Sequence, residues 1–171
     1  MDHQKLYINY RLDVFKMCLY MVKNYQDAED LTQDIFAKVL QTDFQHILEP
    51  KYWVIRVTMN ECKSFLRKKK MLPFDHSSKI FKSIPSSDAD IGKQVIDAET
   101  DDELLKALAE LPEQIRIVFV LRYFQQLSLY EIASILKIPL GTVKSRLHKG
   151  TKKFKKRYAE KKEEIRSEGM K

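Results

Sequence analysis

The chain has 171 residues, 44% of them hydrophobic, which suffices for one ordinary domain or two small ones and argues against wholesale disorder. Only 4 glycines and 5 prolines are present, few for the many turns of an all-β chain, whereas the abundant Lys, Leu, Glu, Ala and Ile favour helices. The composition therefore predicts an all-α protein.

The net charge of +7 is concentrated in two blocks. Residues 63–70 hold 5 basic and no acidic groups, residues 141–171 hold 12 basic and 4 acidic groups, and residues 71–140 between them are net acidic. Blocks of this kind suit phosphate contacts, which gain affinity by releasing counterions. On charge alone, two solvated lysine-rich helix ends explain the pattern equally well.

The two cysteines, Cys18 and Cys62, fall among apolar helix positions and outside any CxxC pair, which favours core packing over metal binding. No signal-peptide pattern opens the chain, and no apolar run approaches the roughly 18 residues of a membrane span. We therefore expect a cytosolic protein with reduced thiols, no metal or other cofactor, and no membrane insertion.

Three helices are predicted in the N-terminal part, which we interpret as a first module over residues 1–71. Apolar residues recur at helical spacing over 4–23, again from about Asp27, and along a third helix from about Lys51 to Lys70. Residues 43–50 connect the second helix to the third, because Pro50 disfavours helix just before it.

Residues 72–100 are interpreted as a linker. They are rich in Ser, with Pro73, Pro85 and Gly92, and residues 71–103 hold 3 basic and 8 acidic groups. A segment of this length is unusual inside one compact domain. The chain is therefore predicted to form two small helical domains joined by a flexible acidic linker.

The second module is predicted over residues 101–160, with a charged tail at 161–171. Its helices are expected from about Asp101, Pro112, Ser128 and Pro139, and the last two have the pattern of a helix-turn-helix. Ser128 and Glu131 have the spacing of a capping box, and Pro139 suits the first turn of the next helix. That helix presents side chains able to bond bases and phosphates: Lys144, Ser145, Arg146, His148 and Lys149. The alternative is an ordinary helical hairpin with a basic outer face.

The second module also resembles a known family. Leu111-Pro112, Arg116, Glu131-Ile132-Ala133 and residues 141–147 are similar to the fourth conserved domain of sigma factors, which reads the minus-thirty-five promoter element. By this resemblance the DNA-binding residues are Thr142, Lys144, Ser145, Arg146, His148 and Lys149. Regulators of the LuxR type share a similar motif, so a stand-alone helix-turn-helix regulator is the alternative.

Two segments of the first module favour the sigma factor. Residues 27–36 resemble the helix by which sigma factors hold the polymerase clamp, with Asp30, Gln33 and Asp34 on its polar face. Residues 52–60, followed by Phe65-Leu66-Arg67, resemble the helix that melts and reads the minus-ten element. On that helix the polar side chains recur at i, i+4, i+7 and i+11: Arg56, Asn60, Lys63 and Arg67.

The loop at residues 44–50 resembles the family's loop that pockets a base flipped from the non-template strand. Gln45, His46 and Glu49 are its candidate residues. Tyr52 and Trp53 could stack on an unpaired base; for Trp53 a role as core anchor is the preferred interpretation. Thr58 departs from the small apolar residue usual in the family, which we interpret as a tolerable packing change.

The resemblance implies an extracytoplasmic-function sigma factor acting in a stress or envelope response. Its implied partners are core RNA polymerase, through the clamp of the β′ subunit and the flap of the β subunit, promoter DNA, and an anti-sigma factor that would hold the protein at the membrane. The linker would thread the RNA-exit path, where its acidic residues would mimic nucleic acid: Asp88, Asp90, Asp97 and Glu99.

An enzyme is the rival from another class. The sequence contains no Ser–His–acid order with supporting motifs, no glycine-rich phosphate loop and no metal-ligand spacing, so no catalytic residue is predicted. A phosphate-sensing regulator is also disfavoured, because a phosphoacceptor domain needs a βα pattern that residues 1–70 lack.

Overall fold

A computed structural model describes residues 3–43, 46–71 and 98–168, except for the side chains of 98–101, 158–159 and 161–168. Within these residues the fold consists of helices alone, which confirms the all-α prediction. In chain order they are α1 (His3–Val22), α2 (Tyr25–Leu40), α3 (Pro50–Met71), α4 (Ala98–Ala109), α5 (Glu113–Tyr123), α6 (Leu129–Leu136) and α7 (Leu140–Glu168).

The first module is a bundle of α1, α2 and α3, in which α1 contacts both of the others. Lys23 adopts a left-handed backbone (φ 61°) after α1, and its N–H donates to the Leu19 carbonyl at 2.8 Å. Asn24 then caps α2, because its Oδ1 accepts from the Asp27 N–H at 2.8 Å. This cap starts α2 at Tyr25, two residues before the predicted start.

The apolar stripes predicted from helical spacing form the core of this bundle. Fully buried members come from all three helices: Val14, Met17, Cys18, Met21, Ile35, Val39, Ile55, Met59 and Cys62. The Cys18 and Cys62 sulfurs lie 3.9 Å apart, and their contact together with burial raises the pKa of Cys62 well above its ordinary value. Both thiols therefore pack as core residues, as predicted.

Thr58 fits this core without an unsatisfied hydroxyl. Its side chain is fully buried, and its Oγ1 donates to the Val54 carbonyl one turn earlier at 2.8 Å. A buried hydroxyl costs little when it is hydrogen-bonded, so the departure from the family's small apolar residue is accommodated.

Some sequence predictions fall outside the described residues. Phe44, Gln45 and the linker residues 72–97 are among them, and so is the side chain of Glu99. Helix α4 begins at Ala98, within the last three residues of the predicted linker. Of the described helices, none has both the length and the apolar character that a membrane span requires.

The second module packs α5 and α6 against α7. The predicted capping box is present at the start of α6, since Ser128 Oγ accepts from the Glu131 N–H and the Glu131 carboxylate accepts from the Ser128 N–H. Lys137 (φ 53°) ends α6 in the left-handed region, and α7 follows after Pro139. Ile132 and Val143 are fully buried between the two helices, which gives the predicted helix-turn-helix.

The two modules also pack against each other, which the sequence did not predict. Helix α5 contacts α1, and α6 contacts α3. The Tyr20 and Phe124 rings contact each other across this boundary in a tilted arrangement, with ring centroids 4.4 Å apart. The boundary therefore brings α6 of the second module onto α3, the helix that carries the predicted minus-ten face.

Candidate nucleic-acid interface

The predicted cationic face of α3 forms as one surface. Asn60 and Arg67 are exposed and Lys63 is half-buried, and all three line a cleft of about 510 Å³. Arg56, also exposed, lies nearer the N-terminus of the helix beside a second groove. Three of the four predicted residues thus share one cleft, and the fourth continues the face toward the loop.

The second groove, of about 660 Å³, lies where the loop before α3 meets the helix. Loop residues His46, Leu48 and Glu49 line it together with Tyr52 and Trp53. His46 and Glu49 are exposed, and Leu48 is 96% exposed. Aromatic rings and polar groups around a concave space suit an unpaired base, which is recognised by stacking and by hydrogen bonds to its edge.

The two aromatic residues at the start of α3 have different surroundings. Trp53 is half-buried and packs against the core, in agreement with its interpretation as an anchor. The Tyr52 hydroxyl donates a hydrogen bond to Glu131 Oε1 of α6. This bond, ahead of burial, raises the pKa of Tyr52, and it is also the main reason that the pKa of Glu131 is lowered.

The outer face of α7 carries most of the predicted minus-thirty-five residues. Lys144, Ser145, His148 and Lys149 are exposed, and Val143 anchors the opposite side of the helix in the core. These four side chains are free to enter a major groove, which is wide enough to admit an α-helix. Thr142, in the first turn of the helix, is half-buried.

Arg146 lies on a different side of α7. Its Nη2 donates to Gln114 Oε1 of α5 at 2.9 Å, and the side chain lines the cleft of the α3 face. A separation of two residues from Lys144 corresponds to about 200° around a helix, so both cannot point the same way. In this arrangement Arg146 faces the first module.

Sequence reasoning missed part of the cationic surface of α7. Lys152 and Lys156 are exposed and follow Lys149 at helical spacing, so the outer face continues beyond the predicted residues. By contrast, Arg157 points back to Glu110, the residue after α4, and its Nε lies 3.2 Å from Glu110 Oε1. The spacing i+3 and i+7 from Lys149 was the available signal for the continuation.

The predicted polymerase-binding residues lie together on the outer side of α2. Asp30, Gln33 and Asp34 are exposed, whereas Leu31 and Ile35 on the same helix are buried. Asp30 Oδ1 accepts from Gln26 Nε2 at 3.2 Å, which leaves the rest of this polar face open to a partner. In the part of the chain that the structure describes, no group of three His, Cys, Asp or Glu side chains could hold a metal ion.

The fold and these faces define a class of protein. Each of two helical modules exposes a cationic helix face, and one of these faces belongs to a helix-turn-helix, which is the arrangement of a DNA-binding protein. Sequence families agree with this class: the family Sigma-70 region 2 matches residues 6–71, and Sigma-70, region 4 matches residues 101–154.

Individual relatives identify the family. The chain is 32% identical over 148 residues to the RNA polymerase sigma factor SigV of Bacillus subtilis, with 84% of this chain and 83% of SigV covered. It is 28% identical over 156 residues to the ECF RNA polymerase sigma factor SigW of the same organism, with coverage of 86% and 83%. The chain belongs to the sigma-70 family and is an extracytoplasmic-function sigma factor.

A solved structure shows the same fold. The sigma factor RpoE of Bartonella quintana, in complex with the anti-sigma factor NepR, matches with a TM-score of 0.67 at 22% identity, over 91% of this chain and 96% of that chain. As a sigma factor, the protein directs transcription initiation, and a stand-alone helix-turn-helix regulator is not favoured.

Proposed function

We propose that the protein binds core RNA polymerase through α2 and grips one promoter at two elements, the minus-ten element with α3 and the minus-thirty-five element with α7. The observation that carries this proposal is the pair of exposed cationic helix faces, one on each module. Such faces bind the phosphate backbone, and side chains among them read the bases.

At the minus-ten element, the α3 face binds the melted strand. Arg56, Lys63 and Arg67 hold phosphates, and the Asn60 amide bonds to base edges. Gln45, His46 and Glu49 of the loop receive one unpaired base, which costs a few kcal/mol to extrude and so needs a shaped polar pocket. The groove between the loop and α3 has the polar and aromatic lining that this role requires.

At the minus-thirty-five element, the outer face of α7 enters the major groove. Lys144, Ser145, His148 and Lys149 face the duplex, and Thr142 sits in the first turn, where a phosphate is favoured. Arg146 reads guanine after it leaves Gln114, because a guanidinium can bond both O6 and N7 of that base. Lys152 and Lys156 extend the phosphate contacts along the groove.

The acidic face of α2 docks on the basic clamp of the polymerase β′ subunit through Asp30, Gln33 and Asp34, and the second module contacts the flap of the β subunit. Bond-forming chemistry belongs to the polymerase, and the protein works in the bacterial cytoplasm, where polymerase and chromosome lie.

A relative, RpoE, was solved with an anti-sigma factor, which supports an anti-sigma factor as a further partner of this chain.

The proposed modules are residues 1–71 and 101–160, with a linker at 72–100 and a charged tail at 161–171. The helices of each unit carry the contacts that support this division, since α1–α3 pack on one another and α5 and α6 both pack on α7. Each module would then contribute one promoter contact, and the first would also contribute the polymerase contact.

Two substitutions test the separate roles of α7 in promoter recognition and of α2 in polymerase binding. Arg146→Ala should lower run-off transcription from cognate promoters by about ten-fold or more, since a good bidentate base contact contributes about 1–3 kcal/mol of discrimination, and should leave core binding unchanged. Asp34→Ala should weaken core binding and leave the minus-thirty-five contact intact. Asp13→Ala, which removes an exposed carboxylate from α1, is the control for Asp34. Loss of core binding in Arg146→Ala would contradict the assignment of Arg146 to the minus-thirty-five contact.

A further inference from the structure

The cleft between α3 and the second module has the size of a small-molecule site. We call it the intermodule cleft, because Lys63 and Arg67 of α3 line it together with Gln114 of α5 and Arg146 of α7. Its volume of about 510 Å³ lies within the roughly 300–1,000 Å³ of ligand pockets. A hollow of about 470 Å³ adjoins it and shares Gln114 and Arg146 with it. The cleft therefore has room for a ligand larger than a single phosphate ion.

Cations outnumber carboxylates in the intermodule cleft. Its described lining holds four cationic side chains and one carboxylate, that of Glu113, so its net charge is four minus one, or +3. The four cations are Lys63, Arg67, Lys70 and Arg146. A phosphate group carries about −1.5 to −2 charges at neutral pH, so two phosphate groups, rather than one, neutralise the cleft.

Most of this positive charge is not neutralised by the protein. Lys70 pairs with Glu113 Oε2 at 2.8 Å, and Arg146 donates to the neutral Gln114 amide. Within the parts of the chain that the structure describes, no ion pair holds the other two cations of the cleft. The Lys70 side chain is mostly exposed, and an exposed ion pair contributes little, so a phosphate can replace Glu113 on Lys70.

A buried cation adds to the positive field from behind the cleft wall. Arg116 precedes the wall residue Ile117, is only 3% exposed, and has no hydrogen-bond partner for its Nε and Nη1 among the described residues. Burial lowers the pKa of Arg116, and the nearby Glu113 carboxylate is the main influence in the opposite direction. Because charges away from water are weakly screened, Arg116 favours an anion in the cleft.

The remaining lining suits the nucleoside part of a ligand better than another phosphate. Ile117, Leu136 and Ile138 add aliphatic surface to the cleft, and Asn60 and Gln114 add amide groups. A sugar or a flat base can cover aliphatic side chains, and amides offer both donors and acceptors to the edge of a base. The cleft thus combines a cationic part with a part that is apolar and neutral.

We propose that the intermodule cleft binds a nucleoside polyphosphate, a nucleotide with two or more phosphate groups. The four cations hold the phosphates, the aliphatic residues and the amides hold the nucleoside, and the ligand joins the two modules. Lys63 and Arg67 also belong to the proposed minus-ten contact, so the ligand and a promoter strand compete for them. The site itself does not rest on that proposed function.

Titration calorimetry with adenosine diphosphate (ADP) tests the site on the full chain, without polymerase or DNA and at constant ionic strength. ADP should bind saturably, and about ten-fold or more tightly than orthophosphate, because it engages several cations at once. It should also bind more tightly than pyrophosphate, which has two phosphate groups and no nucleoside. Absence of saturable ADP binding, or equal affinities for ADP and pyrophosphate, would overturn the proposal.

Arg67 and Arg56 are a matched pair on α3, because Arg67 lines the intermodule cleft and Arg56 lines the loop groove. Arg67→Gln should weaken ADP binding by about ten-fold or more, whereas Arg56→Gln, with the same loss of charge, should change it by less than about two-fold. Arg146→Gln should act like Arg67→Gln, since the site needs both modules. Equal weakening by Arg56→Gln and Arg67→Gln would indicate a phosphate backbone along the whole α3 face and would overturn the site.

Glu113→Gln should change the affinity in the opposite direction. It removes the carboxylate of the described lining and releases Lys70 from its ion pair, so ADP should bind about 3- to 10-fold more tightly. Glu61→Gln, which breaks the ion pair with Lys38 inside the first module, is the control and should leave ADP binding unchanged. A gain in affinity cannot arise from misfolding, and an unchanged or weaker affinity in Glu113→Gln would contradict the site.

The ADP titrations are independent of core binding and of run-off transcription. Loss of the nucleotide site would leave the polymerase and promoter contacts as proposed, and loss of those contacts would leave the titrations unchanged. Failure of this inference is therefore distinguishable from failure of the proposed function.

Discussion

Gly150 of α7 packs closely against α5. A Cβ built at this position would lie 2.8 Å from Ile115 Cγ2, a methyl on a stiff β-branched side chain. Gly150→Ala should therefore destabilise the protein by about 1 kcal/mol or more, because overpacking outweighs the gain in helix propensity. The change in the free energy of unfolding, measured with urea, checks this expectation.

Gly141, in the first turn of the same helix, is the matched control. A Cβ there would meet nothing within 4 Å. Gly141→Ala should leave stability unchanged or raise it by up to about 1 kcal/mol. Equal losses of stability in the two variants would contradict the close packing of α7 against α5 at Gly150.

Single residues also show where sequence reasoning stops. The exposure of Lys144, Ser145, His148 and Lys149 followed from helical spacing alone, since Val143 sets which side is buried. The hydrogen bond between Arg146 and Gln114 could not be predicted from helical spacing, because Gln114 lies 32 residues earlier and meets Arg146 only in the folded chain. The bond from Tyr52 to Glu131, across 79 residues, was invisible for the same reason.

The helix-turn-helix depends on how α6 begins. Both halves of the capping box at Ser128 are made, and the helix has only 8 residues, so its first turn is a large part of its hydrogen bonding. Ser128→Ala should cost about 1 kcal/mol of stability and should weaken the minus-thirty-five contact by shifting α6 against α7. Thermal unfolding of the purified protein checks the first effect, and duplex binding by the holoenzyme checks the second.

Ser134, an exposed residue in the middle of α6, provides the comparison. Ser134→Ala should be neutral or slightly stabilising, since alanine is the better helix former. An equal loss in both variants would mean that the hydroxyl at position 128 contributes no more than a surface serine.

Most helices were predictable because their apolar residues follow the helical period over three or more turns. Helix ends were less so. The apolar period predicts a start of α2 at about Asp27, whereas the Asn24 side chain caps the helix and starts it at Tyr25. The start of α6 was found correctly because Ser128 and Glu131 form a recognisable pair, and Asn24 has no such partner in sequence.

At the scale of the whole molecule, two modules were expected from the sequence but their contact was not. Tyr20 and Phe124 meet across the boundary, yet Tyr20 is simply one of the buried residues of α1 and Phe124 is the residue that ends α5. Helical spacing shows which residues avoid water and says nothing about which helix will cover them. The packed arrangement therefore became visible only with the fold.

Binding of one promoter at both the minus-thirty-five and the minus-ten element is tested most directly by footprinting. The protein is footprinted with core polymerase on a promoter selected from a genomic library. The account predicts that core polymerase alone protects no specific site. Adding the protein should protect two separated segments, near minus-thirty-five and minus-ten, with unpaired thymines at the second. A single protected segment, or full protection by the protein without core polymerase, would contradict it.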